Sequence, residues 1–262
     1  MASARHLLFG FHLDAVTMEE VVERCRVAIL TRDTLLLSVV NAAKIVKARA
    51  DPVLRNSLME GNLMLADGQS VVWASRFLGR PLPERVAGID VFQRLLQLAH
   101  DEQRSIYLLG ARPDVLEALR RRLETRYPGL RVAGARAGYF ADGEAETVAA
   151  AIRACRPDML FLGMTSPKKE IFLGRFGPSL GVPVLHGVGG SFDILAGVTQ
   201  RAPVLWQKAG MEWAYRVLQE PRRLWWRYLS TNTAFLALTL REMVRPTRAY
   251  SPPIGGPGMA GR

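Results

Sequence analysis

Short apolar runs alternate with longer amphipathic stretches as far as about residue 195. Thr34–Val40, Asn62–Ala66, Ser105–Leu109, Arg131–Ala135, Met159–Leu162 and Val182–His186 are four to seven residues long, and many are apolar nearly throughout. Runs of that length fit strands buried on both faces, as in a parallel sheet. The stretches between them are helical in period. Thr17-Met-Glu-Glu20 reads as a capping box opening a helix to about Leu30. Pro113 stands at the first turn of a helix that stops near Tyr127, before Pro128-Gly129. Ala145–Ala154 and Lys168–Leu173 are further helices. The alternation predicts an α/β fold: a layered, Rossmann-like parallel sheet with helices on both faces. Beyond Gly197 it stops. Residues 201–245 read as helix broken at Pro221, and the Pro/Gly-rich end reads as a disordered tail. The expected organisation is therefore a body, 1–197, that folds without the rest, a basic helical appendage, 198–248, and a tail, 249–262.

At 262 residues the chain can bury roughly 70–75% of its unfolded surface and needs no staples. Its two cysteines, Cys25 and Cys155, lie far apart. They make neither a disulfide framework nor a CxxC metal knuckle, fit a reducing compartment and read as inert core thiols. The first ten residues carry no long apolar segment of the secretory type. Hydrophobic residues at 49% and charged residues at 23% exclude a disordered or collagenous chain.

Charge changes the picture more. The net charge is +11, and Arg201–Arg248 holds nine Lys/Arg against three Asp/Glu. The same segment holds Trp206, Trp213, Trp225 and Trp226, four of the five tryptophans, together with Tyr215 and Tyr228. Basic and aromatic residues so interleaved are the composition of a membrane-interface helix; a solvated basic face over core aromatics is the plainer alternative. The longest uncharged run in the segment, Tyr228–Leu240, is 13 residues, short of the roughly 18 needed to span a bilayer. The segment is expected to lie on an anionic membrane surface or on the protein, and not to cross.

Three strand ends run into glycine turns before a helix: Leu109-Gly110-Ala-Arg112, Leu162-Gly163-Met-Thr165 and His186-Gly187-Val-Gly189-Gly190. Such turns present backbone N–H groups to phosphate, and with Arg112, Lys168 and Lys169 beside them they point to a nucleotide or phosphate ligand. The dinucleotide fingerprint fails, because Phe192 stands where its third glycine belongs. No Walker A, HExxH, GxSxG or Asp-x-Asp pair occurs, so phosphate charge is expected to be met by Arg, Lys and N–H groups. Asp67 follows a strand directly, where open α/β sheets place working groups; capping the helix from Gln69 is its plainer role. Asn41 is placed the same way, with the same alternative. Arg85 and Asp90 flank a Pro/Gly-rich loop, with a surface ion pair as the plainer reading. Asp193 reads as a contact to base or ribose, or as a cap. His186 reads as a packed loop histidine.

Taken in order, Val40-Asn-Ala-Ala-Lys44, Ala66-Asp-Gly-Gln-Ser70, Gly79-Arg-Pro-Leu-Pro-Glu-Arg-Val-Ala-Gly-Ile-Asp90, Gly138-Tyr-Phe140, Gly163-Met-Thr-Ser-Pro-Lys-Lys-Glu170, Gly187-Val-Gly-Gly-Ser-Phe-Asp193, Arg201-Ala-Pro203, Glu212-Trp-Ala-Tyr-Arg216 and Gln219-Glu-Pro-Arg222 resemble the WecG/TagA/CpsF family of bacterial glycosyltransferases. The resemblance implies inverting, metal-independent transfer from a UDP-sugar to a polyprenyl-diphosphate-linked glycan in surface or exopolysaccharide synthesis, with no cofactor. It implies Asp67 as general base, Asn41, Arg85 and Lys169 at the donor or its diphosphate, and Tyr139, Gly190 and Asp193 around the nucleotide. It makes the segment bearing Arg216, Arg222 and Arg223 an appendage that meets the membrane and closes over the site. The implied place is the cytoplasmic side of the bacterial inner membrane, with a homo-oligomer left open. Two residues depart from the pattern: Thr165, where many members have glycine, and Lys169, where glutamine is usual. Thr165 and Asn41-Ala-Ala-Lys44 are similar to exopolysaccharide hexosyltransferases and tilt the donor toward a glucose-type sugar. The rival readings are a nucleic-acid-binding protein, suggested by the net charge and the Arg/Trp interleaving but without RNP, helix-turn-helix or zinc spacing, and a membrane-associated scaffold that keeps the fold without activity.

Overall fold

The computed structural model describes residues 4–165 and 168–251, with the side chains of residues 142, 170, 208 and 223 outside that description. It opens with a hairpin that the apolar pattern does not predict, β1 (Arg5–Leu8) antiparallel to β2 (Phe11–Asp14). These strands are short and interrupted by His6 and His12, and their turn has φ of 55° at Phe9 and 86° at Gly10. A phenylalanine seldom adopts that backbone. Phe9 is held there by contacts from the far end of the chain: its ring lies 5.2 Å from that of Phe235, and its N–H donates to Glu242 Oε1 at 3.2 Å.

Helix α1 (Met18–Thr31) starts at the expected Thr17/Glu20 capping box. There follow β3 (Leu35–Val40), α2 (Ala42–Ala48), α3 (Pro52–Met59), β4 (Leu63–Ala66), α4 (Gln69–Phe77), α5 (Gly88–Asp101), β5 (Ser105–Gly110), α6 (Pro113–Arg126), β6 (Arg131–Arg136), α7 (Ala145–Cys155), β7 (Met159–Gly163), α8 (Lys168–Phe176), β8 (Val184–Gly187) and α9 (Ser191–Leu195). Strands β3 to β8 form one sheet in the order β4-β3-β8-β7-β5-β6, every pair parallel.

The apolar runs are continuous because both faces of the sheet are covered. Leu63, Leu65, Ile106, Leu108, Met159 and Phe161 face a layer containing α1, α5 and α6. Their alternates face the other way. Met64 and Ala66 meet the hairpin, α2, α3 and α4, while Tyr107, Leu109, Leu160 and Leu162 meet α7 and α8. From β5 the chain passes to β6 on one side, and from β7 to β8 on the other, so the loops leaving β5 and β7 diverge. That divergence is the switch point at which open α/β sheets form a ligand crevice.

The C-terminal segment has one more break than its helical pattern suggests. It forms α10 (Val204–Lys208), α11 (Glu212–Gln219) and α12 (Pro221–Val244), with the additional turn at Gly210, φ +69°. Pro221 opens α12 at its first turn, where a missing N–H is tolerated. The boundaries expected at 197 and 249 do not delimit the packing. Phe235 belongs to the core formed by Leu8, Phe9, Ile45 and Val71, and Thr239 and Glu242 are buried beside it. Tyr250 lies edge-on to Phe11, its N–H donating to Gly10 O. The second half of α12 is core, so residues 1–197 alone would expose this layer. Residues 252–262, most of the expected tail, lie outside the described residues.

Candidate active site

Asp67 and Asn41 sit side by side at the C-terminal ends of β4 and β3. The Asp67 N–H donates to Val40 O at 2.8 Å, continuing the ladder one residue past the strand. A β-carbon on Gly68 would lie only 3.2 Å from Asn41 Cβ, so the two loops touch. Asn41 caps α2, its Oδ1 accepting the Lys44 N–H at 3.0 Å. Asp67 does not cap the helix that follows it: the N-cap of α4 is Gly68, and no side chain caps it. Its Oδ1 instead accepts the N–H of Gly88, the first residue of α5, at 2.9 Å. The carboxylate is thereby fixed from outside its own loop.

The loops leaving β5, β6, β7 and β8 enclose a cleft of about 580 Å³. Tyr139, Lys169, Gly190 and Asp193 line it, as do Arg112 and Thr165. The three glycine turns are not equivalent. A β-carbon on Gly110 would lie 2.4 Å from the backbone of Gly163, and one on Gly163 would lie 2.4 Å from the Phe192 ring. Those two glycines are required by packing. Gly190 has nothing but Asp193 Oδ2, at 4.0 Å, near its missing side chain, so its bare backbone faces open space on the cleft. Lys169 lines the cleft and also a small hollow that it shares with Lys44 and Val39, its stem lying across Gly187. It thus connects the cleft to the end of β3.

The loop carrying Arg85 meets the C-terminal segment in a cluster of four ions. Arg85 Nη1 lies 2.7 Å from Glu212 Oε2, and its Nη2 lies 3.5 Å from Asp90 Oδ2. Arg201 is bidentate to Asp90, at 2.5 and 3.0 Å, and reaches Glu212 Oε1 at 3.1 Å. Burial works against the charge of Arg201, yet its hydrogen bonds to Asp90 and the charges of Asp90 and Glu212 prevail and raise its pKa. The expected Arg85–Asp90 pair is therefore the weakest contact of the set, and the strong partners come from the C-terminal segment. Beside it, a β-carbon on Gly210 would lie 2.6 Å from Gln69 Cγ, which presses the α10–α11 turn onto the first turn of α4, two residues past Asp67.

The structure thus gathers Asp67 with Asn41, groups Tyr139, Lys169, Gly190 and Asp193 in the cleft, and ties Arg85 to Glu212. Arg216 on α11 and Arg222 on the first turn of α12 are exposed, and the side chain of Arg223 lies outside the described residues. Glu212, Arg201, Gly88 and His186 were not singled out as site residues by sequence reasoning, although the first three fall within the motifs that carry the resemblance. Of the two cysteines expected in the core, Cys25 is buried and Cys155, at the end of α7, is exposed. Among the described residues, no three His, Cys, Asp or Glu side chains form a metal-ligand group, and no helix is long and apolar enough to cross a membrane.

A family model, Glycosyl transferase WecG/TagA/CpsF family, matches residues 6–249. The chain belongs to that family. The match runs from the hairpin to the end of α12, in keeping with the shared core of those elements, and it makes the protein a glycosyltransferase. Among its relatives are the N-acetylglucosaminyldiphosphoundecaprenol N-acetyl-beta-D-mannosaminyltransferases of Staphylococcus aureus strains MW2 and NCTC 8325. Each is 34% identical over 219 residues, covering 83% of this chain and 85% of the relative.

Proposed function

We propose that this glycosyltransferase moves a hexose-type sugar from a UDP-sugar to a polyprenyl-diphosphate-linked glycan, with inversion and without a metal. The observation that carries the reading is the Asp67 carboxylate, held just past the end of β4 by an N–H from α5 to its Oδ1. The acceptor hydroxyl oxygen attacks the anomeric carbon while its proton passes to Asp67. The bond from that carbon to the diphosphate oxygen breaks on the opposite face, and UDP departs carrying the electron pair. The developing negative charge is met by Arg85, Lys169 and loop N–H groups, which act most strongly where water is excluded. Tyr139 and Asp193 hold the nucleotide, and Asn41 helps hold the donor.

The acceptor is a membrane lipid, and α12 presents a surface suited to one. Trp225, Trp226, Leu229, Leu236, Leu240 and Met243 are exposed along it, with Arg222 at its start. Large apolar side chains with flanking arginines make an interfacial helix, which would seat the enzyme on the cytoplasmic face of the inner membrane with Arg216, Arg222 and Arg223 toward the lipid diphosphate. The sugar named in the relatives' activity supports a second reading of the donor, UDP-N-acetylmannosamine.

One experiment tests both: transfer from UDP-glucose, UDP-glucuronate and UDP-N-acetylmannosamine to a polyprenyl-diphosphate N-acetylglucosamine acceptor, for wild type and Asp67→Asn, with and without EDTA. One donor should support transfer that survives EDTA, and Asp67→Asn should lose roughly 10²–10⁴-fold in rate while still binding UDP. Near wild-type transfer by the variant would remove Asp67 from the role of base. Loss in EDTA with rescue by magnesium or manganese would remove the metal-free mechanism.

A further inference from the structure

His186, at the end of β8, is wholly buried, and neither the cleft nor the ion cluster uses it. Its Nε2 lies 2.9 Å from the carbonyl oxygen of Gly88. A carbonyl can only accept, so Nε2 carries the hydrogen and Nδ1 is a bare lone pair, which finds no hydrogen-bond partner among the described residues although it is buried. Leaving a buried acceptor unpaired costs about 1–3 kcal/mol, and a leucine or phenylalanine would fill the space beside Phe161 without that penalty. The hydrogen bond that the imidazole does make falls on the residue whose N–H is bonded to Asp67. Gly88 is thus gripped at both its polar atoms, C=O by His186 and N–H by the Asp67 carboxylate at 2.9 Å. The start of α5 is also pressed close: a β-carbon on Gly88 would lie 3.5 Å from Val39 and 3.7 Å from His186 Cε1.

We propose that His186 is a positioning residue for Asp67, its Nε2–H fixing the first turn of α5 so that the Gly88 N–H stays aimed at the carboxylate. This rests on the assignment of Asp67 as base. The device requires a ring that keeps a single hydrogen in one place. Burial keeps the imidazole neutral, with its pKa lowered to about 4; the bond to Gly88 opposes that shift, and the positive charges of Lys169 and Lys44 add to it. Protonation would put a second N–H at Nδ1 with no acceptor to meet it.

The test compares His186→Leu, which removes the donor, with His186→Gln, whose amide N–H reaches about the same position. Hydrogen exchange at the start of α5, read without any substrate, should speed up in the Leu variant and return toward wild type in the Gln variant. In transfer assays with the donor that supports activity, kcat of the Leu variant should fall about 10- to 100-fold, the scale of a misplaced catalytic group. Its donor KM should stay within about twofold, because the cleft is untouched, and the Gln variant should recover most of kcat. Wild-type kcat in the Leu variant, or equal losses in both variants that track a lowered melting temperature, would overturn the positioning role. Asp67→Asn assayed alongside separates the two claims. If it is inactive while His186→Leu is normal, only the positioning role fails; if it is fully active, the base assignment fails and this inference with it.

Discussion

Replacing Glu212 by glutamine keeps the size of the side chain and removes one charge from the Arg85–Asp90–Arg201–Glu212 cluster, leaving two guanidinium groups facing one carboxylate. The side chains of Arg85 and Arg201 are 14% and 17% exposed, and those of Glu212 and Asp90 26% and 31%. The pairs therefore stand between a surface bridge, worth about 0–1 kcal/mol, and a buried one, whose rupture costs about 3–5 kcal/mol. Two contacts of Glu212 are lost while Asp90 still serves both cations, so a loss of about 2 kcal/mol is expected, or roughly 4–8 °C in Tm for a chain of this size. The damage should be local. No residue of α11 is buried, so the cluster is a main tie between that helix and the body, whereas α12 keeps Phe235, Thr239 and Glu242 in the core. Denaturant unfolding gives the energy, and limited proteolysis locates the loosening, which should appear as faster cutting between residues 198 and 220 with the rest of the chain protected. Stability within about 0.5 kcal/mol of wild type, the ordinary range for surface substitutions, together with an unchanged proteolytic pattern would refute the idea that these charges bind the C-terminal segment to the body.

The His186 pKa, lowered from 6.5 to about 4 by burial, makes stability depend on pH. The unfolded chain binds this proton more tightly, so stability is fully present above about pH 6.5 and drains away as the pH falls toward 4. The loss is roughly 3 kcal/mol at about 1.4 kcal/mol per unit, and denaturant midpoints should show it as a wild-type slope in that window that His186→Leu lacks; parallel slopes would exclude His186 as its source. Gly163→Ala should lower stability by about 1–3 kcal/mol through overpacking against Phe192, whereas Gly190→Ala, which meets open space, should leave Tm nearly unchanged; equal melting shifts would contradict the packing argument. Full-length protein should co-sediment with anionic vesicles at low salt and release as salt rises, each Lys/Arg near the surface contributing ~1 kcal/mol. Trp225→Ala with Trp226→Ala should weaken that binding without changing the melting temperature, and protein that stays in the supernatant at low salt would end the membrane reading.

What could be read from the sequence is what local pattern encodes. The sheet was legible because a strand buried on both faces is apolar at successive positions, as Met159-Leu-Phe-Leu162 is, and because Thr17 and Glu20 are spaced for a capping box. The β1–β2 hairpin was not, since its turn holds Phe9 at positive φ only through Phe235 and Glu242, more than two hundred positions away. The packing of α12 against the body is hidden in the sequence for the same reason. Phe235, Thr239 and Glu242 form a stripe along α12 that becomes core only once α2 lies beneath it, and Thr and Glu do not look like core residues in a one-dimensional pattern.

The site divides along the same line, and the division bears on mechanism. Asp67 and Asn41 could be found because each follows an apolar strand, and the fold places working groups there. Arg85 was legible as a candidate too, but its nearest candidate partner along the chain, Asp90, is its weak one; its strong partner, Glu212, comes from a helix that follows the whole sheet in the chain. The cation assigned to the diphosphate is thus already held by the segment assigned to the lipid acceptor. The same holds for Asp67, the proposed base, whose carboxylate is bonded by Gly88 of α5, itself bonded by His186 of β8. Neither Gly88 nor His186 is near Asp67 in sequence, so the atoms that orient the carboxylate are set by tertiary structure. Substitutions at Glu212 or His186 should therefore change transfer without touching any residue that meets substrate, and that is the physical sense in which the sheet, α5 and the C-terminal helices form one catalytic unit.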